Sequence, residues 1–183
     1  MITVFSSKGG VGKTTIAYSL ATIYSMPFYT NDYSVVLDIL EDTVYNENLS
    51  VKDIKDGIVD LGGFITPNTL EILEESKVIL VPVTNDLNAL KKTNFLLEEL
   101  KYLDSKIILI ASNVKDKDYK EIKKNIEAKH IPIRKIMNST LFKRALKNGK
   151  TISNTISESP LLKHAYSKIQ FQIQELIEEI ESI

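Results

Sequence analysis

The chain has 183 residues, of which 43% are hydrophobic and 26% charged, and its 23 Lys and Arg residues nearly balance 24 Asp and Glu residues, for a net charge of −1. This length and composition are typical of a soluble globular protein, and we expect a single domain over residues 1–183. The net charge excludes a general polycation that binds nucleic acid over its whole surface, and the lack of cysteine excludes disulfides, thiolate zinc sites and iron–sulfur clusters.

The first predicted element is a short apolar strand over residues 1–5. A glycine-rich loop follows and reads Ser-Lys-Gly-Gly-Val-Gly-Lys-Thr-Thr over residues 7–15. Glycines let the backbone turn tightly and direct several N–H groups at phosphate oxygens, and the start of the next helix adds positive potential. In such a loop Lys13 reaches the β- and γ-phosphates of a nucleotide, and the Thr14 hydroxyl binds Mg²⁺.

The loop departs from the general phosphate-binding pattern at its start, where Ser7 stands in place of glycine and a second lysine, Lys8, follows. The segment Lys-Gly-Gly-Val-Gly-Lys-Thr-Thr resembles the deviant Walker A loop of the ParA/MinD family of ATPases, and most of all that of small plasmid-type ParA partition proteins. The resemblance implies ATP and Mg²⁺ as ligands and a dimer that encloses the nucleotide. It also implies a catalytic role for Lys8, which would reach the phosphates held by the opposite subunit.

Strand-like apolar runs alternate with amphipathic helical stretches along the rest of the chain, which predicts an α/β fold. With the loop, this pattern indicates a single-domain P-loop NTPase that has a mostly parallel twisted sheet and helices on both faces. Further strands are predicted at residues 27–30, 57–60, 77–84, 106–114 and 131–137. Helices are predicted at residues 14–25, 69–75, 89–103, 119–129, 139–148 and 159–181. Residues 46–55 are expected to form a polar loop.

Asp60 ends a predicted apolar strand and is followed by Leu61, Gly62 and Gly63. The resemblance implies that an acid at this position binds Mg²⁺ through water, and that a following glycine N–H contacts the γ-phosphate. An aspartate that merely caps a turn is the alternative. The order of strand, Asp and two glycines, after a phosphate loop, favours the metal site at Thr14 and Asp60.

Two residues are candidates for orienting the attacking water. The family usually has Asp-x-Asp after the second strand, and its second Asp positions the water. If residues 27–30 are that strand, a threonine replaces the first Asp and Asp32 is the second, and residues 35–45 then form a helix. If residues 35–45 contain the strand instead, Asp38 is the first acid and Leu40 replaces the second, which argues against hydrolysis. We favour Asp32.

Asn113 follows the predicted strand that begins at residue 106, and the resemblance implies that it contacts the nucleotide base, with capping of the strand as the alternative. The guanine-reading pattern Asn-Lys-x-Asp is not present in order, so adenine is favoured. Residues 132–134 are also expected near the base. The residues expected to bind the nucleotide are Lys8, Gly9, Gly10, Val11, Gly12, Lys13, Thr14, Thr15, Gly63 and Asn113.

Basic residues concentrate between residues 134 and 150. Residues 142–150, which read Phe-Lys-Arg-Ala-Leu-Lys-Asn-Gly-Lys, resemble the stretch before the last helix of plasmid-type ParA proteins, where it contributes to DNA binding without sequence preference. Such a patch would gain affinity from phosphate neutralisation and counterion release. A solvated helix face is the alternative. The residues expected to contact DNA are Lys143, Arg144, Lys147 and Lys150.

The predicted last helix carries several glutamates near its end, the wrong sign for binding anionic lipid. The chain opens with an apolar strand and not with a basic leader, and it has no apolar run long enough to cross a bilayer. We therefore expect a cytoplasmic, nucleoid-associated protein that does not bind membranes.

These features predict a ParA-like ATPase that binds Mg-ATP, forms a nucleotide-sandwich dimer and hydrolyses ATP slowly with stimulation by a partner. It would bind DNA nonspecifically and drive segregation of plasmid or other mobile DNA. The expected partners are a second copy, DNA and a small DNA-binding adaptor of the centromere-binding type. The alternatives are a positioning ATPase for a secretion or conjugation complex, and a small-substrate phosphotransferase of the same fold.

Overall fold

Within residues 1–182, which the computed structural model describes, seven strands form one sheet. They are β1 (Ile2–Val4), β2 (Phe28–Thr30), β3 (Thr43–Tyr45), β4 (Ile58–Asp60), β5 (Val78–Val83), β6 (Lys106–Val114) and β7 (Ile133–Met137). Their order is β3-β2-β4-β1-β5-β6-β7, and every pairing between neighbours is parallel. The predicted parallel sheet is therefore confirmed.

Eight α-helices of the described residues cover the sheet on both faces. They are α1 (Lys13–Tyr24), α2 (Pro67–Glu74), α3 (Leu87–Leu100), α4 (Asp116–Asn125), α5 (Thr140–Lys147), α6 (Ile152–Ser157), α7 (Pro160–Ala165) and α8 (Ser167–Glu181). Helices α1, α5, α6 and α8 contribute to the core cluster on one face, and α2, α3 and α4 to the cluster on the other. None of these helices is long and apolar enough to cross a membrane.

The central strands are apolar without alternation because both of their faces are covered. All six residues of β5 are buried, and they read Val-Ile-Leu-Val-Pro-Val. Parallel strands that lie between two helical layers have no solvent-facing side, so a continuous apolar run is their typical sequence. This is why β5 and β6 are the clearest strands in the sequence.

Residues 35–45 do not form the predicted helix. A 3₁₀ helix at Val35–Asp38 is followed by β3, which pairs in parallel with β2. Val36 is fully buried in the core cluster that contains α1, and Thr, Val and Tyr in β3 are residue types that favour a strand. The apolar spacing of residues 35–45 is compatible with a helix. Backbone hydrogen bonds to the edge of β2 stabilise the strand conformation of β3 instead.

Three other regions differ from prediction. The expected polar loop at residues 46–55 contains a 3₁₀ turn at Val51–Asp53 and buries Leu49 in the core. The expected single last helix is two helices, α7 and α8, which meet at Tyr166. Helix α6 was not predicted, and it packs Ile152 and Ile156 into the cluster beneath α1.

The position of β1 determines where the glycine-rich loop lies. Val4 is in register with Asp60 of β4 on one side and with Leu80 of β5 on the other, and Thr30 of β2 is in register with Asp60. Because these strands are parallel, the segments that follow them emerge at one edge of the sheet. Ligands of open α/β sheets bind at this edge.

Candidate nucleotide-binding site

The glycine-rich loop, residues 7–15, joins the end of β1 to the start of α1. Gly10 and Gly12 have φ angles of 75° and 92°, in the left-handed region that favours glycine. Gly12 precedes the first residue of α1, and its carbonyl accepts the N–H of Ile16 at 3.1 Å. The backbone N–H groups at the first three positions of α1 precede that bond and have no helical partner, so they are available to an anion.

Two lysines of this loop carry charge without an acidic partner. Lys13 is 9% exposed and Lys8 is half-buried, and neither forms an ion pair with any residue from 1 to 182. Burying an ammonium group without a counter-charge costs free energy. Unpaired lysines beside free N–H groups are therefore typical of a site for an anionic ligand.

Asp60 carries the opposite charge at the same edge of the sheet. Its side chain is 1% exposed, and neither of its carboxylate oxygens has a hydrogen-bond partner in the described part of the chain. Burial raises the pKa of Asp60 to about 6, although the nearby Thr14 hydroxyl and Lys13 ammonium act to lower it. Buried polar atoms are almost always paired in folded proteins, so this orphaned carboxylate points to an absent cationic ligand.

The segment after Asp60 lies against the phosphate loop. A Cβ atom added to Gly63 would lie 3.5 Å from the carbonyl oxygen of Ser6, which places the Gly63 backbone beside the start of the loop. The N–H of Gly62 donates to Oδ1 of Asn31 at 2.6 Å. The glycine predicted to contact the γ-phosphate is thus next to the loop, and Asn31 ties this segment to the end of β2.

Of the two candidate water-orienting acids, the structure brings Asp32 beside Asp60. Asp32 is exposed just beyond β2, and its N–H donates to Oγ1 of Thr30 at 3.0 Å. A Cβ atom added to Gly62 would lie 3.9 Å from Cβ of Asp32, so Asp32 lies beside the segment that follows Asp60. The charge of Asp32 acts to raise the pKa of Asp60. Asp38 instead ends the 3₁₀ helix that packs against the α1 face of the sheet. The position favours Asp32, whose role stays a prediction.

A cleft of about 320 Å³ opens on the β6 side of the loop. Asn113 borders it and has a φ of 58°, at an irregularity where β6 shifts its register against β7. A Cβ atom at Gly12 would lie 3.0 Å from the hydroxyl of Ser112, so the loop and the end of β6 are in contact. The predicted base-contacting asparagine is therefore next to the loop, and its contact with a base stays a prediction.

Residues 132–134 do not border this cleft. They lie just before and at the beginning of β7, whereas Ile136 and Met137 border the cleft at its end, about 7 Å beyond Arg134 along the strand. The last residue of β7 and residues beyond it border the cleft instead, and they were not predicted from the sequence. They are Met137, Asn138, Ser139 and Phe142. A parallel sheet places the carboxyl end of each strand at the site, and this rule could have found them.

The four basic residues expected to contact DNA have different surroundings. Arg144 Nη2 and Lys150 Nζ both bind the carboxylate of Glu158, at 2.6 and 3.1 Å. Lys143 and Lys147 are exposed, four residues apart on α5, and form no ion pair in the described chain. Lys150 lies beyond the end of α5, so it is not on the helix that carries Lys143 and Lys147.

Two neighbouring basic residues are paired as well. Arg134 binds Glu179 of α8, and Lys135 binds Asp116 at the start of α4. Lys143 also borders the cleft beside the phosphate loop. The predicted basic patch is thus reduced to one helix face that adjoins the candidate nucleotide site.

No protein-family model and no curated protein matches the sequence. Solved structures do match: McdA of Cyanothece has a TM-score of 0.66 at 16% identity, with 94% of this chain and 98% of that chain covered. The septum site-determining protein MinD of Pyrococcus horikoshii, complexed with Mg-ADP, has a TM-score of 0.64 at 14% identity, with 100% of this chain and 98% of that chain covered. A ParA family ATPase of Chlorobium tepidum has a TM-score of 0.55 at 18% identity, with 88% of this chain and 94% of that chain covered.

This chain has the fold of the ParA/MinD ATPases. The resemblance inferred from the deviant Walker A loop is confirmed at this level, over nearly the whole chain. The identities are low, so the fold carries no residue role with it. The roles assigned to individual residues must be supported by the site itself.

The residues present fit a magnesium nucleotide, which this fold implies. The free N–H groups at the start of α1 and the unpaired Lys13 suit phosphate oxygens, and the unpaired Asp60 beside the Thr14 hydroxyl suits a hard cation. Mg²⁺ usually keeps several waters and takes one or two protein ligands. Thr14 and Asp60 would be such a pair, and Lys13 would neutralise the phosphates.

Proposed function

We propose that this protein is a ParA-like ATPase that binds Mg-ATP and hydrolyses it slowly. One observation carries the proposal: a phosphate-binding loop with two unpaired lysines faces a buried aspartate whose oxygens have no partner among the described residues. A protein that only used these residues for structure would pair them. A metal-bound polyphosphate supplies the missing partner for each.

Asp32 and Gly63 complete the proposed chemistry. The bound Mg²⁺ would neutralise charge that develops on the phosphates during transfer to water. The Gly63 N–H lies beside the loop and would contact the terminal phosphate. Asp32 is exposed next to this position and would accept a hydrogen bond from the attacking water, which holds it in line. Because a water on an exposed carboxylate is loosely held, turnover would be slow until a partner covers the site.

Lys8 supports a nucleotide-dependent dimer. Its side chain is half-buried at the edge of the loop, and it has no acidic partner within residues 1–182. A bound nucleotide on a second copy would provide that partner, so ATP would stabilise the dimer and hydrolysis would release it. The Lys8→Ala variant is expected to bind ATP as a monomer and to lose the dimer in light scattering. Retained ATP-dependent dimerisation would show that Lys8 has another role.

The proposed task is segregation of plasmid or other mobile DNA, with nonspecific DNA and a small DNA-binding adaptor as partners. Its support is the exposed face of α5, where Lys143 and Lys147 are free of acidic partners in the described chain. Two such faces in a dimer would double the positive charge that meets the DNA phosphates. Binding would then depend on ATP and fall steeply with salt.

The decisive experiment measures binding of a duplex of arbitrary sequence with ATP, with ADP and without nucleotide, at two salt concentrations. We expect binding only with ATP, and a loss of at least ten-fold in affinity on tripling the salt. A Lys143→Ala, Lys147→Ala double variant should lose binding and keep the ATP dimer. Lys120→Ala, Lys124→Ala is the matched control, because these lysines are also exposed and four apart, on α4.

A positioning ATPase for a protein complex is the second candidate. The pairing of Arg144 and Lys150 with Glu158 favours it, because it engages two of the four cations expected to contact DNA and offsets part of their charge. This function keeps the ATP dimer and needs no DNA-binding face. An ATP-dependent dimer that binds no duplex in any nucleotide state would support this candidate over segregation.

A further inference from the structure

Strand β3 leaves one edge of the sheet open. It is the last strand in the sheet order, and its only neighbour among the described strands is β2. Phe28 N–H donates to the carbonyl of Asp42 and Asn46 N–H donates to the carbonyl of Thr30, which sets the alternation of the ladder. The N–H and C=O groups of Thr43 and Tyr45 therefore point away from β2, and they form no backbone hydrogen bond in the described structure.

Apolar side chains surround this open backbone. Tyr33 is 75% exposed, and its ring contacts that of Tyr45 edge-on, with centroids 5.9 Å apart. Val35 is 54% exposed and Val44 is 40% exposed. Tyr45 lies on the same sheet face as Thr30 and Val44 on the opposite face, so apolar surface flanks the edge on both sides. A strand added at this edge could place alternate side chains against the apolar surface on each face of the sheet.

The same segment is strongly acidic. Residues 32–47, named here the acidic edge, contain five carboxylates and no lysine or arginine. All five are exposed, and none forms an ion pair within residues 1–182. They are Asp32, Asp38, Glu41, Asp42 and Glu47. The Glu47 carboxylate accepts a hydrogen bond from the Tyr45 hydroxyl at 3.1 Å, which joins the charged and aromatic parts of the surface.

The negative charge of the acidic edge favours a positively charged binding partner. A second copy that paired edge to edge would bring ten carboxylates together, and nucleic acid would be repelled by the same charge. A chain with lysine or arginine at alternate positions meets neither obstacle. Its backbone would bond to β3, and its cations would lie among the carboxylates and over the two tyrosine rings.

We propose that the acidic edge is a docking site for an extended, basic polypeptide segment of a partner protein, which adds to the sheet beside β3. The segment is recognised by backbone hydrogen bonds at Thr43 and Tyr45 and by the unpaired carboxylates. The site needs no nucleotide, so its test is independent of the proposed ATPase function.

The probe is a fluorescein-labelled nine-residue peptide in which arginine alternates with valine, and the control peptide has glutamate in place of arginine. Fluorescence polarisation is measured on the nucleotide-free protein. We expect only the basic peptide to bind, with affinity that falls several-fold between low and high salt. Failure of the basic peptide to bind, or equal binding of both peptides, would overturn the proposal.

Two variants separate strand addition from simple charge attraction. Thr43→Pro removes one outward N–H while leaving the bonds between β3 and β2, and we expect about five-fold weaker binding. Thr43→Val is the matched control, since it keeps the N–H and loses only the hydroxyl, which donates to the Leu40 carbonyl at 2.9 Å. Equal binding by wild type and Thr43→Pro would mean that charge alone holds the peptide, which would overturn strand addition.

A third variant keeps the test valid if Thr43→Pro does not fold. Reversing three charges in Glu41→Lys, Asp42→Lys, Glu47→Lys leaves the backbone intact and should weaken binding about ten-fold or more. Unchanged binding by this variant would place the peptide elsewhere. Self-association of the nucleotide-free protein that Thr43→Pro abolishes would assign the edge to a second copy and overturn the proposal.

Discussion

The phosphate-loop region and the basic segment around α5 both concentrate charge, and they differ in what surrounds it. At the loop, Lys13 and Asp60 are buried, and neither has an ion-pair or hydrogen-bond partner among the described residues. Around α5, Arg144 and Lys150 share the carboxylate of Glu158 on the surface. Proteins do not bury unpaired charge without a reason, whereas surface charges pair with little gain in stability.

Because of this difference, the loop is stronger evidence for a functional site than the basic segment is. An ionised buried carboxylate without a partner has a large desolvation cost that a cationic ligand removes, so it is strong evidence for a site. A run of basic residues in the sequence is weak evidence, because the fold can neutralise it locally. In this chain the fold does so at Glu158, leaving Lys143 and Lys147 as the free cations of α5 in the described structure.

The largest expected effect is at the loop. Lys13→Ala should weaken binding of a fluorescent ATP analogue at least about 100-fold, because it removes a charged hydrogen bond from a buried site. Lys120→Ala, at an exposed lysine on α4, is the control and should bind normally. Binding of the Lys13 variant within ten-fold of wild type would mean that the loop is not the nucleotide site.

A second prediction tests whether the orphaned carboxylate destabilises the nucleotide-free protein. Burial raises the pKa of Asp60 from 3.8 to about 6, so the folded state holds this proton more tightly than the unfolded chain. The ionised group therefore lowers the free energy of unfolding above about pH 6, and the penalty disappears as the pH falls towards 4. The pKa change corresponds to about 3 kcal/mol.

Asp60→Asn should therefore raise the free energy of unfolding by up to about 3 kcal/mol at pH 8, with a gain that shrinks towards pH 4. Urea titrations at both pH values measure it, and Asp104→Asn, at an exposed loop position, is the control. The same variant should lose the effect of Mg²⁺ on nucleotide affinity. Equal or lower stability at pH 8 would contradict the assignment of an unpaired, buried charge.

The third prediction compares the two candidates for orienting the attacking water. Asp32→Asn should lower steady-state ATP hydrolysis about ten-fold or more while leaving nucleotide affinity nearly unchanged, because it replaces the charged carboxylate acceptor that orients water with a weaker, neutral amide. Asp38→Asn should hydrolyse ATP at the wild-type rate, since its residue ends a 3₁₀ helix on the α1 face. A loss of turnover in the Asp38 variant alone would reverse the assignment.

The smallest effect is expected in the region of paired charge. Glu158→Gln frees Arg144 and Lys150, so affinity for duplex DNA in the ATP state should rise by about two- to five-fold, with a steeper salt dependence. Glu98→Gln is the control, because it removes an acid from a salt bridge to Lys101 on a different helix. An unchanged affinity of the Glu158→Gln variant for duplex DNA would mean that these two cations do not face the DNA.

The parts of the fold that could be predicted are those with a clear local sequence signal, such as the continuous apolar runs of buried strands. The runs that became β5 and β6 are apolar throughout because helices cover both faces, and the loop before α1 has a specific order of glycines. Strand β3 was not predictable, because its residues have no apolar alternation and their strand conformation depends on pairing with β2. The break at Tyr166 between α7 and α8 likewise has no proline or glycine to mark it.

The chemistry proposed for the phosphate loop can be predicted from consecutive residues, because they build that loop and local backbone preferences shape it. The distant residues that join the loop are set by the tertiary fold. The parallel sheet brings Asp60 and Asp32 to the end of β1 and leads the residues after β7 to the cleft, while residues 132–134 lie at the far end of that strand. It also decided which cations stay free, because ion pairs such as Arg144 with Glu158 join residues that the sequence does not mark as partners.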